Sequence, residues 1–305
     1  MKVIQFPHPG NEHHYSKQEL AAGIKNWNSN KTHARNFIHA DGTYIDSNGV
    51  PQKDSLTFWG EWEPPAKVQK LQAVSGTDMP KYVIEPIMPV SSPFPGQMNT
   101  DPLVFGKYFK YAICRQNQRS VVMKNLNAGS IILFGCVRGT DFLLDTVFVV
   151  NNSRKFLLSD KNSLLGIDEY GKYKKIVLDT FFFKKNSCGA IPRKQHELIN
   201  GCGCKNIVPL KATTMNTYYE GARYDNPVNG MYSFVPAEIY DANNIGFERL
   251  KLDTLKQFPE LHYKNLQNFY TVMDSSSSNV KDFWNRLCTA TENSGLVKAV
   301  EISYP

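Results

Sequence analysis

Apolar and polar residues alternate along several short stretches of this chain. A period of two marks strands, and spacings of three and four mark helices. Residues 2–6 alternate and are β-branched, which predicts an opening strand ended by Pro7, Pro9 and Gly10. Ser16 and Glu19 have the spacing of a capping box, with Tyr15 and Leu20 placed as a hydrophobic staple. Leu20, Ile24 and Trp27 then read as one buried helical face. A second short helix is expected to carry His33, Arg35 and Phe37. Asp41-Gly42 and Asn48-Gly49 are turn dipeptides around a small hairpin. Residues 55–63 read as a strand closed by Pro64 and Pro65.

From 76 to 102 the chain is rich in Pro, Gly, Ser and Asn, which predicts a long ordered loop. The clearest strand signal follows, at 108–114, 130–137 and 141–150, with a short helix or turn at 120–127. Further strands are expected at 175–183, 212–223 and 231–240, around a Gly/Cys-rich loop at 186–205. Pro259 is placed to open a helix. Asn279 is placed to cap another, whose apolar stripe is Val280, Phe283, Trp284, Leu287 and Cys288, with Ser275 to Ser278 as the linker between the two. Residues 296–303 alternate as a last strand. Strands cluster in the middle and helices near the two ends. The expected fold is therefore α+β, one compact domain over 1–305, with a central, largely antiparallel, partly barrel-like sheet.

Composition narrows the class. A hydrophobic share of 41% with 21% charged residues belongs to a folded chain. No stretch approaches the ~18 apolar residues of a membrane helix, and the first residues lack the apolar region of a signal peptide. The expected compartment is the cytoplasm, where cysteines stay reduced. The net charge of +7, with Lys172–Lys175, Lys184–Lys185 and Arg193–Lys194 as the densest basic runs, suits a polyanionic partner.

Chemistry is expected first at Glu61 and Glu63, between and beside Trp59 and Trp62. On a strand, Trp59, Glu61 and Glu63 share a face, and Gly60 lets a ligand come close. Two carboxylates at this spacing can bind a cation, hold ribose hydroxyls or divide into an acid and a base. The plainer reading is a wet acidic face. His8, Glu12, His13, His14, His33 and His39 form a second group of proton carriers and metal ligands, which can equally be ordinary surface or capping residues. Cys188, His196, Cys202 and Cys204 supply enough ligands for a tetrahedral zinc site, or make a plain thiol-bearing loop. Phosphate-loop, dinucleotide-fingerprint and nucleophile-elbow motifs are absent from the sequence.

Three resemblances attach to these residues. Glu61-Trp62-Glu63 is similar to the glutamate-any-glutamate strand of arginine-specific ADP-ribosyltransferases, although here it lies early in the chain. Tyr219 to Tyr224 and Asn229 to Phe234 resemble that family's nicotinamide-cradling strand, which implies NAD as a substrate and Tyr219 and Tyr232 as ligand contacts. Gly129 to Gly135 with Phe142 to Val150 resembles the barrel strands of PUA-like base readers, including the ASCH and EVE families. The function expected is a nucleotide- or nucleic-acid-directed enzyme, performing glycosyl or ADP-ribosyl transfer or base modification. Glu61, Glu63, His33 and Arg35 would line its cleft, and Trp59, Trp62, Tyr219 and Tyr232 would hold the ligand. The alternative is a non-catalytic PUA-like reader or interaction module.

Overall fold

The computed structural model describes residues 1–8, 10–29, 33–72, 79–91, 96–116, 121–157, 160–186, 189–192, 215–263 and 269–305. Cys188, His196, Cys202, Cys204 and the Arg193–Lys194 pair lie outside the described residues.

Strands dominate. In chain order they are β1 (Lys2–Pro7), β2 (Ile24–Lys25), β3 (Asn36–Ile45), β4 (Pro51–Gly60), β5 (Ala66–Lys70), β6 (Tyr82–Pro86), β7 (Lys110–Tyr111), β8 (Ile131–Arg138), β9 (Asp141–Leu157), β10 (Phe183–Asn186), β11 (Gly189–Pro192), β12 (Met215–Gly221), β13 (Val235–Ile239), β14 (Leu250–Asp253), β15 (Tyr270–Asp274) and β16 (Val297–Ile302). Two helices matter most, α1 (Lys17–Ala22) and α2 (Ser277–Asn293). Many strands with few helices fit the α+β class. None of the described helices is long and apolar enough to cross a membrane.

Two large mixed sheets form. One runs β15-β1-β8-β9-β12-β7, with β14 added to β9; the other runs β16-β13-β4-β3-β6-β5-β2, and β16 also pairs with β3. The central strands of the first are buried on both faces. Ile132, Phe134, Phe148 and Val150 enter one apolar cluster, while Ile131, Leu133, Val147 and Val149 enter another. Alternation across a pleated strand explains this split, and burial on both sides explains the unbroken apolar runs in the sequence.

Local reading and tertiary outcome part in several places. The capping box forms as expected, with Ser16 and Glu19 exchanging hydrogen bonds. The helix nevertheless stops at Ala22, because Gly23 takes a left-handed cap, and Ile24 lies exposed in β2 rather than on a buried helical face. His33, Arg35 and Phe37 are not helical. Arg35 bridges Glu12, and Phe37 lies in β3, paired with Trp59 on one side and Val83 on the other. Asp41 and Gly42 lie within β3, not in a turn, whereas Asn48 and Gly49 do turn the chain into β4.

The segment expected as a strand at 175–183 is mostly helical, at Tyr170–Tyr173, Lys174–Leu178 and Asp179–Phe182, and only Phe183 belongs to a strand. A short apolar run such as Ile176-Val177-Leu178 has no period that separates the two states. Residues 108–114 contribute only β7. The chain around Pro259 forms turns rather than a helix. The last helix begins a turn earlier than Asn279, with Ser276 as its cap, so the serine run starts a helix instead of linking two.

Candidate functional site

Strand register builds the site. Asn36 pairs with Gly60 across β3 and β4, so the residue before one strand, Arg35, meets the residue after the other, Glu61. β4 ends at Gly60, so Glu61 and Glu63 lie just beyond the strand rather than on one of its faces. Likewise Leu250 pairs with Leu144, which sets Arg249 beside Asp145. His8 follows β1 and donates its backbone N–H to the carbonyl of Gly135 at 2.7 Å. Gly135 of β8 sits opposite a bulge in β9, where Asp145 is the extra residue, and an added Cβ on Gly135 would lie 2.1 Å from the carbonyl oxygen of Leu143.

These elements bring four of the expected residues together. Glu61 Oε1 accepts from Arg35 at 2.6 Å and lies 2.5 Å from His8 Nδ1. Glu61 Oε2 is buried and accepts no hydrogen bond from any described residue; it lies 3.6 Å from His33 Nδ1. That same nitrogen is 2.9 Å from Glu63 Oε1, while Glu63 Oε2 accepts from Asn28 Nδ2 at 2.6 Å. The Glu63 backbone is pinned as well. Its N–H donates to Thr100, and its carbonyl accepts from Lys25 Nζ at 2.9 Å. The Glu61 and Glu63 side chains are buried, and His33 is the part-exposed member at 16%.

Electrostatics follow from this packing. Burial pushes His8 down to about 4, despite the Glu61 charge beside it. Burial acts the same way on His33, yet the charge of Glu61 and hydrogen bonds to Cys114 and Glu63 overcome it and hold the imidazole well above its ordinary value. For Glu61, burial is outweighed by His33, then His8 and Arg35, so the carboxyl stays below the usual carboxylate range. The Cys114 thiol is pushed up to about 11 by burial and by the nearby Asp101. Arg35 also reaches a second carboxylate, with Nε 2.6 Å from Asp145 Oδ2, and Arg249 Nε lies 3.9 Å from Asp145 Oδ1.

Beside this cluster opens a cleft of about 290 Å³, whose walls include His13, Trp59, Lys81, Tyr82, Arg138 and Arg249. The Arg249 guanidinium lies 4.5 Å from the Trp59 ring centroid. Ion pairs therefore run from the cleft wall inward, from Arg249 through Asp145 and Arg35 to Glu61. None of Glu61, Glu63, His33 and Arg35, expected to line one cleft, lines this one; its own carboxylate is Glu12.

The four expected aromatic contacts separate. Trp59 reaches the cleft. Trp62 is fully buried against Phe105, with its indole N–H on the Pro65 carbonyl, so no ring face is left for a ligand. Tyr219 is buried too, with its hydroxyl on the Met123 carbonyl, and Tyr232 packs edge-on to Trp284. Their contacts are with the core, not the cluster. Sequence reading passed over Asp145, Asn28, Lys25 and Arg249. Asp145 carries the one visible signal, a charged residue within the apolar run from Phe142 to Val150, which demands a buried partner.

No protein-family model, no curated protein and no solved structure matches this chain.

Proposed function

We propose that this chain is a nucleotide- or nucleic-acid-directed enzyme, with its ligand held in the Trp59 cleft and its chemistry at the His33, Glu61 and Glu63 cluster. One observation carries the reading: the ion-pair chain from Arg249 on the Trp59 ring to Glu61 joins a cationic, aromatic-walled cleft to a pair of buried carboxylates. Lys81, Arg138 and Arg249 suit a phosphate, while Trp59, 4% exposed with Arg249 over its ring, backs the cleft and leaves the partly buried Tyr82 as the ring nearer a base. Glycosyl or ADP-ribosyl transfer, with NAD as the donor in the latter case, and base modification all use carboxylates that steady positive charge or move a proton. The thiols of Cys114, Cys136 and Cys288 are free, which fits a reducing cytoplasmic setting.

A second reading has its own support. β16 pairs with both β13 and β3, and β13 pairs with β4, so four strands hydrogen-bond in a circuit. That circuit supports a barrel-like sheet, but the segments resembling PUA-like strands, β8 and β9, lie in the other sheet; a PUA-like reader would need the cleft but no essential carboxylate.

Calorimetric titration with the four nucleoside monophosphates, NAD, a short single-stranded oligonucleotide and inorganic phosphate tests the cleft. Run with a chelator at ~50 mM salt, at least one nucleotide should bind, and binding of the oligonucleotide, though not of a single nucleotide, should weaken steeply as salt rises. Arg138→Ala and Lys81→Ala should each weaken it by about tenfold, the scale of a charge-assisted hydrogen bond. Absence of nucleotide binding, or binding indifferent to both substitutions, would remove the cleft from the reading.

A further inference from the structure

We infer that His33 Nδ1, Glu61 Oε2 and Glu63 Oε1 bind one divalent transition-metal ion. The inference takes its catalytic meaning from the proposed reaction centre, but the site stands on its own geometry. One donor atom from each of the three residues lies within 4.8 Å of the other two, and His33 Nδ1 is 2.9 Å from Glu63 Oε1 and 3.6 Å from Glu61 Oε2. Bonds of about 2.0–2.2 Å to a shared ion put neighbouring ligand atoms about 3.0–3.5 Å apart. The two distances to His33 Nδ1 bracket that range, and the carboxylate oxygens, within 4.8 Å of each other, would close on the ion.

The arrangement of the carboxylates is the second observation. Each has one oxygen anchored and one turned toward His33. Glu61 Oε1 is held by His8 and Arg35, and Glu63 Oε2 by Asn28. Anchored partners of this kind fix ligand orientation in metal centres. The oxygen left over on Glu61 is buried and accepts no hydrogen bond from any described residue. A single proton on His33 Nδ1 serves Glu63 at hydrogen-bonding distance and leaves Glu61 Oε2 unsatisfied, an expensive state in a dry interior. An ion accepting the nitrogen lone pair and both oxygens satisfies all three atoms. One imidazole with two carboxylates is a mixed nitrogen and oxygen set, which suits zinc, iron(II) or manganese(II) over soft, thiolate-seeking ions. His33, part-exposed, gives the ion a side open to a water or substrate atom. There the ion would polarise a ligand oxygen or lower the pKa of a bound water.

The test is cobalt(II) and zinc titration of the chelator-stripped full chain, followed by visible absorption and thermal melting, with no nucleotide present. One ion per chain is expected, with a nitrogen and oxygen d–d spectrum, no sulfur-to-cobalt band, and a melting temperature that rises with metal. His33→Ala and Glu63→Gln should each abolish uptake at this site, and Asn28→Ala should weaken it about 10–100-fold by releasing a ligand. His33→Ala removes the part-exposed member and carries the test alone should Glu63→Gln fail to fold. A Cys202→Ser/Cys204→Ser chain should bind cobalt unchanged. No uptake, uptake unaltered by His33→Ala, or uptake lost in the cysteine variant would overturn the site. Because nucleotide binding is measured under chelator and metal binding without nucleotide, either result can fail while the other stands.

Discussion

Arg35 and Glu61 meet at 2.6 Å with both side chains about 2% exposed, one guanidinium nitrogen on one carboxylate oxygen. Asp145 takes the other side of the guanidinium. Removing one partner of such a buried pair strands the others. Arg35→Met should therefore cost about 3–5 kcal/mol in urea unfolding. Adding Glu61→Gln and Asp145→Asn to that variant should return part of the loss. A cost below ~1 kcal/mol would mean the network is solvated.

Glu61→Gln separates enzyme from reader. It keeps the size of the side chain and removes the charge, but it also strands Arg35, so turnover is compared only at temperatures where a thermal melt shows the variant folded. For an enzyme, nucleotide binding under chelator should persist while turnover falls by about 10²–10⁴. Turnover within a few-fold of the parent would leave the reader ahead, and a matching result for Glu63→Gln would end the catalytic role of the pair.

His13 sets a measurable acid sensitivity. Burial, helped by the positive Lys25, lowers it to about 4. An unfolded chain protonates this histidine below its ordinary value of 6.5, whereas the folded one resists until about 4. Stability should accordingly be lost as pH falls through that window, by at most on the order of 3 kcal/mol. Asp101 works in the opposite sense, since burial raises it to about 6 and its stabilising contribution fades as pH rises toward that value. Comparing His13→Gln with the parent isolates one term. The variant should show a shallower fall in melting temperature between pH 6.5 and pH 4, and parallel curves would contradict the burial of His13.

Gly135→Ala should destabilise by about 1–3 kcal/mol, because the new methyl meets the Leu143 carbonyl, a backbone atom that cannot swing aside. The carbonyl of Gly135 accepts the hydrogen bond that places His8. A crystal structure or His8 imidazole NMR signals should show His8 displaced from Glu61. A variant as stable as the parent would mean that the bulge relaxes freely.

By itself, the sequence determined whatever short-range rules govern. The Ser16 and Glu19 box caps its helix, Asn48-Gly49 turns β3 into β4, the apolar runs at 131–134 and 147–150 are buried strands, and Val280 to Cys288 is one face of a helix. It also brought Glu61, Glu63, His33 and Arg35 forward as candidates for one cleft, on residue type alone. Tertiary structure decided the rest. Only the pairing of Asn36 with Gly60 sets Arg35 against Glu61, and only the pairing of Leu250 with Leu144 sets Arg249 against Asp145. These partners are 26 and 104 residues apart, beyond any local pattern. Trp62 and Tyr219 looked like ligand contacts because aromatic rings serve cores and clefts equally well, and their burial is settled by which sheet covers them. The same holds for His33, whose neighbours in sequence suggest a helix. Long-range strand pairing outweighs weak local preference, so Phe37 enters the sheet, and Arg35 and His33 are left just before its edge, facing carboxylates.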